Sequence, residues 1–264
     1  MAEITAKPAG LLLARDQAAI TGGAGTVRPH DPPLRRIIHQ RRSAVDMDGV
    51  GTVDADAFYR ILAGLLPRSG RVPFDVLGWE PNVHPVLFVH RVNGVEPGLY
   101  ILVRNPDHEG ELRDALGRDF VWRCPAGCPK NVPLYQLAAG DARRAAATLS
   151  CHQSIAADGC FSLGMITRFR PVLESGGSWI YPRLYWECGL IGHVLYLEAE
   201  AAGLRGTGIG CFFDDAVHEV LGLEDDRYQS LYHFTVGHPL EDHRLSTLSP
   251  YPDQLRGERG VEFD

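Results

Sequence analysis

Residues 183–212 read RLYWECGLIGHVLYLEAEAAGLRGTGIGCF, and this stretch decides how the chain is organised. From Arg183 to about Ala202, apolar side chains fall on nearly every face of a helical repeat. Such a helix belongs in the core of a domain or in a subunit interface rather than on a wet surface. The short stretch GLRGTGIGCF that follows reads as a loop, and its glycines at 206, 208 and 210 allow backbone amides to approach a flat ligand closely. Beyond it, a helix is predicted from Asp214 to Leu221, capped by Asp214 and Asp215 and closed by Gly222, and SLYHFTVG (230–237) is predicted as a strand.

Working back towards the N-terminus, FSLGMITRF (161–169) is a buried-strand candidate, and GDARRAAATLSCHQSIAADG (140–159) reads as one helix started by Asp141. RCPAGCPKNVP (123–133) is too rich in proline for a regular element. HPVLFVHRV, NGVEPG and LYILVRN (84–105) read as two strands and a turn, a hairpin. A helix from Asp54 carries Phe58, Ile61, Leu62 and Leu65 on one face, and an earlier one runs from Pro32 and Pro33 through LRRIIHQRRS with Asp31 as its cap. Residues 1–30 read as an N-terminal arm or linker, and residues 31–264 as the domain. Helices and strands alternate irregularly around a hairpin, so the expected class is α+β, with a mixed or antiparallel central sheet flanked by helices rather than a regular doubly wound sheet.

The 264 residues are 45% hydrophobic and 22% charged, ordinary for a globular protein, and carry a formal net charge of −7. That balance offers no basic field for a nucleic acid backbone or an anionic lipid surface. No stretch approaches the roughly 18 apolar residues of a membrane helix, and the apolar run near the start is too short for a signal peptide, so a cytoplasmic protein is expected. Cys124, Cys128, Cys151, Cys160, Cys188 and Cys211 are scattered, which suits packed thiols in a reducing compartment better than a disulfide framework. The Cys124/Cys128 spacing allows zinc only if further ligands join, or alternatively a redox-sensitive pair. The histidines are too dispersed to define a metal site, and no metal is assigned.

Arg41, Arg42 and Ser43 offer two guanidinium forks and a hydroxyl, a grip for a phosphate and the polar edge of a ring. The plainer alternative is a solvated basic helix end. The 206–210 glycines lack the spacing and preceding strand of a dinucleotide fingerprint. Tyr181 and Tyr185 flank Arg183 and suit either a substrate pocket or packing.

Taken in order, HQRRS (39–43), VNGVEPGLY (92–100), WECGLIGHVLYLEAEAAGL (186–204), GTGIG (206–210), FDDAVHEVLGL (213–223) and LYHFTVGHP (231–239) resemble the nitroreductase superfamily. More narrowly they resemble its SagB-type dehydrogenase branch, which includes flavin enzymes that oxidise azolines in peptide natural products. The likeness runs over residues 31–248. It implies a nitroreductase-like fold, an FMN cofactor and a homodimer with FMN at the interface. It also implies two-electron ping-pong transfer through the flavin N5, on a small-molecule or peptide-derived substrate. By position it implies that Arg41, Arg42 and Ser43 grip FMN, that Gly208, Ile209 and Gly210 lie against the ring, that Gln153 faces it and that Arg244 reaches the phosphate. Val45 stands where many relatives have a further arginine. Ile180-Tyr181 stands where azoline-oxidising members have Lys-Tyr, which leaves Tyr181 as the catalytic candidate. A noncatalytic partner or scaffold domain and an NAD(P)H-dependent nitro or quinone reductase are the alternatives.

Overall fold

A computed structural model describes residues 32–248; the arm assigned to residues 1–30, the Asp31 cap and residues 249–264 lie outside the described residues. In chain order the helices are α1 (Leu34–Gln40), α2 (Ala55–Gly64), α3 (Glu109–Ala115), α4 (Arg143–Leu149), α5 (Ile155–Asp158), α6 (Arg170–Gly176), α7 (Tyr181–Ala201) and α8 (Asp214–Leu221). The strands are β1 (Val53–Asp54), β2 (Val83–Val89), β3 (Val92–Asn93), β4 (Gly98–Leu102), β5 (Leu134–Ala139), β6 (Phe161–Arg168), β7 (Arg205–Ile209) and β8 (Tyr228–Gly237).

Six strands form one sheet in the order β5-β4-β2-β6-β8-β7, with every neighbouring pair antiparallel. The expected hairpin is β2 with β4, in which Leu87 faces Tyr100. β2 also pairs with β6 on its other side, and every residue of β2 is buried. A strand covered on both faces has no use for polar alternation, which is why its sequence is an almost unbroken apolar run.

The period of two survives in how those side chains are shared. Val83, Leu87 and Val89 of β2 with Tyr100 and Leu102 of β4 join the core under α2 and α7, beside Phe58, Ile61, Leu62, Leu184, Ile191 and Leu195. Val86, Phe88, Leu99 and Ile101 face the opposite core, built with α3, α4 and α8 through Leu112, Leu149, Val217 and Leu221. Helices thus cover both faces of the sheet, and the class is α+β as the sequence led us to expect.

The buried helix is α7, and its inward residues include Leu184, Cys188, Ile191, Leu195 and Ala199. Its anchor is ionic. Glu187 is fully buried against Arg104, and its carboxylate also accepts from the backbone N–H of Asn82 (3.1 Å) and Val83 (3.2 Å). Arg104 donates onward to the carbonyls of Leu65 (2.7 Å) and Val83 (2.9 Å). Its guanidinium lies 4.6 Å from the Phe74 ring centre. The opposite side of α7 is open: Tyr185, Trp186, Gly189 and His193 are exposed, so among the described residues the helix is not sealed all round.

Several local expectations need correction. The first helix starts at Leu34, after both prolines, and stops at Gln40, so Arg41–Ser43 follow it instead of closing it. The 140–159 helix is two, α4 and α5, interrupted where Cys151 and His152 adopt φ of 55° and 59°. The stretch assigned to a glycine loop contains β7, held by pairing with β8. Helix α8 does run from Asp214 to a left-handed Gly222, but Phe213 occupies the N-cap; Asp214 accepts instead from Gln229 (3.1 Å).

Candidate functional site

After α1 the backbone turns extended at Arg41 (φ −52°, ψ 130°) and runs along the free edge of β7. Ser43 bridges Gly206 in parallel, the Ala44 N–H donates to the Gly206 carbonyl (3.2 Å), and the Thr207 hydroxyl donates to the Ala44 carbonyl (2.6 Å). Further on, Met47 bridges Pro239, and the Leu240 N–H donates to the Asp46 carbonyl (3.0 Å). An edge strand presents unpaired backbone groups, and this segment satisfies part of them.

That pairing assembles a polar cluster. The Gly208 N–H donates to the Tyr196 phenol oxygen (3.0 Å), and the same oxygen lies 2.9 Å from Ser43 Oγ. Because the phenol accepts from Gly208, its own proton is available to Ser43, and the serine proton can turn towards a ligand. The Arg41 guanidinium sits 4.7 Å from the Tyr196 ring centre, and Phe234 braces that ring edge-on at 4.8 Å. Three of the residues singled out in the sequence, Arg41, Ser43 and Gly208, thus meet at Tyr196. Nothing in the sequence marked Tyr196, which sits among apolar neighbours at ordinary helical spacing.

The two glycines in the middle of β7 answer first to packing. A Cβ on Gly206 would lie 2.5 Å from the Phe234 ring, and one on Gly208 would lie 1.8 Å from the Tyr232 hydroxyl. Gly210 differs, since a Cβ there would meet nothing within 4 Å. Ile209 points into the core beneath α8.

The remaining sequence candidates are distributed around this cluster. Arg42 turns back and donates to the carbonyls of His39 (3.1 Å) and Arg41 (2.7 Å), the helix-end role that was its plainer alternative. Gln153 lies in the break after α4, where its side-chain amide donates to the carbonyls of Ser150 (2.8 Å) and Cys211 (3.3 Å). It therefore stands next to the end of the glycine strand. Arg244 follows β8, pairs with Asp242 (2.8 Å) and is highly exposed. It shares with Val45, Asp46, Leu240, Glu241, Asp242 and His243 the lining of a shallow, largely acidic cavity of about 580 Å³.

Tyr181 is the first residue of α7, half-exposed, with its hydroxyl 3.1 Å from that of Tyr185. Burial, then the Tyr181 hydroxyl, pushes Tyr185 up to about 12. Tyr181 precedes Tyr196 by four turns of one helix, about 22 Å along its axis, so a single chain does not bring it to the Arg41–Ser43 cluster. Its neighbour Ile180 is buried.

The cysteine reading is also corrected. Cys151 and Cys211 form a disulfide, with Cα atoms 5.8 Å apart. Cys160 and Cys188 are buried thiols, pushed up by burial to about 11 and about 12. Cys124 is an exposed thiol, and burial raises its neighbour Cys128 to about 12. A disulfide is uncommon in a reducing compartment, where those present are usually redox-active, so cysteine usage no longer argues for the cytoplasm. Among the described residues no group of three His, Cys, Asp or Glu side chains is placed to hold a metal ion, and no helix is long and apolar enough to cross a membrane.

On β8, His233 is buried between Ser150 (3.1 Å) and Ser230 (3.3 Å) and stacks on Phe212 at 4.5 Å. Burial lowers its pKa to about 4, so it is neutral at physiological pH.

The profile of the Nitroreductase family matches residues 136–238, less than half of the chain. No curated protein matches. Among solved structures, a candidate nitroreductase from Anabaena variabilis is 23% identical, with 78% of this chain and 38% of that one covered and a TM-score of 0.60. This chain therefore spans well under half the length of that protein. A chain of the Escherichia coli microcin synthetase McbBCD complex, solved with truncated pro-MccB17 bound, is 14% identical over 90% of this chain and 84% of that one, with a TM-score of 0.52. A candidate nitroreductase from Exiguobacterium sibiricum, solved in complex with FMN, is 15% identical over 84% of this chain and 96% of that one, with a TM-score of 0.47. The fold is a nitroreductase fold.

Proposed function

We propose that this chain is an FMN-dependent oxidoreductase domain of the SagB-like type, working as a homodimer on a small-molecule or peptide-derived substrate. The observation that carries the reading is the convergence of Arg41, Ser43 and the Gly208 N–H on Tyr196, at an edge strand whose end at Gly210 is open. The donor set suits the cofactor: the Arg41 guanidinium and the Ser43 hydroxyl for a phosphate and a polar ring edge, with the Arg42 charge beside them, and the backbone at Gly210, where a Cβ would meet nothing, for a flat ring. FMN when bound supplies the hydride and electron transfer, so the protein need provide no nucleophile of its own.

The chain's own residues then have separable tasks. Arg41 and Ser43 hold the anionic end, and Tyr196 fixes the serine oxygen. Arg42 contributes a second cation while its Nη1 closes the end of α1. Gly208, Ile209 and Gly210 set the backbone against the ring, and Gln153 closes the far end beside Cys211. Arg244 supplies the guanidinium of a cavity that Val45, exposed and apolar, shares with the carboxylates of Asp46, Glu241 and Asp242. Its Asp242 partner must be released for Arg244 to engage a phosphate. Tyr181 reaches a site only across a dimer, for which the exposed Tyr185, Trp186, Gly189 and His193 face of α7 is the surface we assign. The SagB-like branch rests on the sequence resemblance, together with the fold likeness to a chain of the microcin synthetase complex.

The test is the visible absorption of the purified protein before and after adding FMN. Flavin bands that remain with the protein through gel filtration, at the elution volume of a dimer, support the reading. A colourless protein that fails to bind added FMN contradicts it and favours a scaffold domain.

A further inference from the structure

The disulfide between Cys151 and Cys211 joins segments 60 residues apart in sequence, the break after α4 and the residue following Gly210. It is no stitch inside a core: Cys211 is exposed and Cys151 half-buried, unlike the sealed Cys160 and Cys188. Its backbone is also held in a costly shape. Cys151 and His152 both adopt left-handed φ, which residues other than glycine keep only where their surroundings impose it. The neighbouring contacts cluster on the same two segments, with Gln153 bonded to the Cys211 carbonyl and the His152 ring edge-on to Phe213 at 5.6 Å.

We infer that Cys151–Cys211 is a site of thiol–disulfide exchange with an external dithiol, and that its reduction releases the 150–154 turn beside the glycine strand. The placement of that turn at a cofactor rests on the flavin reading; the exchange itself does not. One thiolate of the dithiol attacks the Sγ of Cys211, the more exposed of the two residues, forming a mixed disulfide. The Sγ–Sγ bond breaks and Cys151 leaves as a thiolate that takes up a proton. The second thiol of the dithiol then attacks the mixed disulfide at its own sulfur, and Cys211 leaves and is protonated in turn. Two electrons and two protons have moved from the dithiol to the chain, and the dithiol ends as its disulfide. Without the crosslink, Cys151 and His152 relax from positive φ. The Ser150–His233 and Phe212–His233 contacts are independent of the bond and confine the release to residues 151–154.

The experiment treats the full-length chain with dithiothreitol in the absence of denaturant, alkylates it at intervals and maps the peptides carrying residues 151 and 211. The expected result is alkylation of both cysteines in the folded protein, with amide hydrogen exchange at residues 152–154 accelerated by about tenfold. In Cys151→Ser, oxidised glutathione should leave an adduct on Cys211. A bond that opens only in denaturant, thiols already free at both positions in air-equilibrated protein, or reduction without faster exchange at 152–154 would each overturn the proposal. None of these readouts involves flavin, so a chain that binds no FMN loses the flavin reading while this proposal is decided on its own results.

Discussion

The two ends of α7 handle polar groups in opposite ways. Near its start, Glu187 and Arg104 are buried completely, and their partners are main-chain groups of β2 and α2's C-terminal turn together with each other. Near its end, Tyr196 gathers Ser43, Arg41 and Gly208 at a sheet edge open to solvent, through a segment that only partly covers β7. The first arrangement is closed and ties helix to sheet. The second keeps donors available, which is what a ligand site requires. Stability should therefore respond most to the first cluster and ligand binding most to the second.

Breaking the closed end should have the largest effect. Glu187→Ala leaves a buried guanidinium uncompensated, and unfolding in urea should show a loss of about 3–5 kcal/mol. A loss below 1 kcal/mol would mean that water reaches Arg104 and that the contrast is wrong.

Acid should act on buried histidines away from the edge cluster. Burial lowers both His90 and His233 to about 4. Between that value and the unfolded value of about 6.5, the unfolded chain binds more protons. Folding stability is therefore fully present above pH 6.5 and falls as the pH is lowered towards 4, by up to about 1.4 kcal/mol per pH unit for each histidine. Denaturation at pH 7 and pH 5 measures this, and His233→Phe should flatten the dependence.

At the edge, Gly208→Ala drives a methyl group into the Tyr232 hydroxyl and should cost about 1–3 kcal/mol of stability, part of it recovered in combination with Tyr232→Phe. Tyr196→Phe removes the hydroxyl linking Ser43 to Gly208 and should cost about 1 kcal/mol, with a several-fold weakening of FMN binding. An unchanged affinity would detach Tyr196 from the site.

The legible and illegible parts of the fold divide along the same line. VLFV, LYILV and FSLGMITR could be read because strands buried on both faces keep unbroken apolar runs, and α8 because Gly222 closes it in the left-handed shape. β5 was missed because Gln136 and Tyr135 interrupt its apolar run. Gln136 is in fact buried and bonded to Glu96 and Tyr100, both at 3.1 Å. β7 read as a loop because its glycines have poor strand propensity, and its strand character comes from pairing with β8, a tertiary effect. Arg41, Ser43 and Gly208 could be singled out by their own chemistry and tied to a cofactor by the family resemblance, whereas Tyr196 and the Cys151–Cys211 bridge depend on contacts between distant segments that no local spacing encodes.

The most direct test is calorimetric titration of FMN into the wild-type chain, Arg41→Ala and, as a control on α3, Arg113→Ala. The account predicts saturable binding to the wild type and to Arg113→Ala, with about tenfold or greater loss in Arg41→Ala, the size expected for one charged hydrogen-bond donor. Equal affinity in all three proteins, or no binding to the wild type, would contradict a flavin site at the edge of β7.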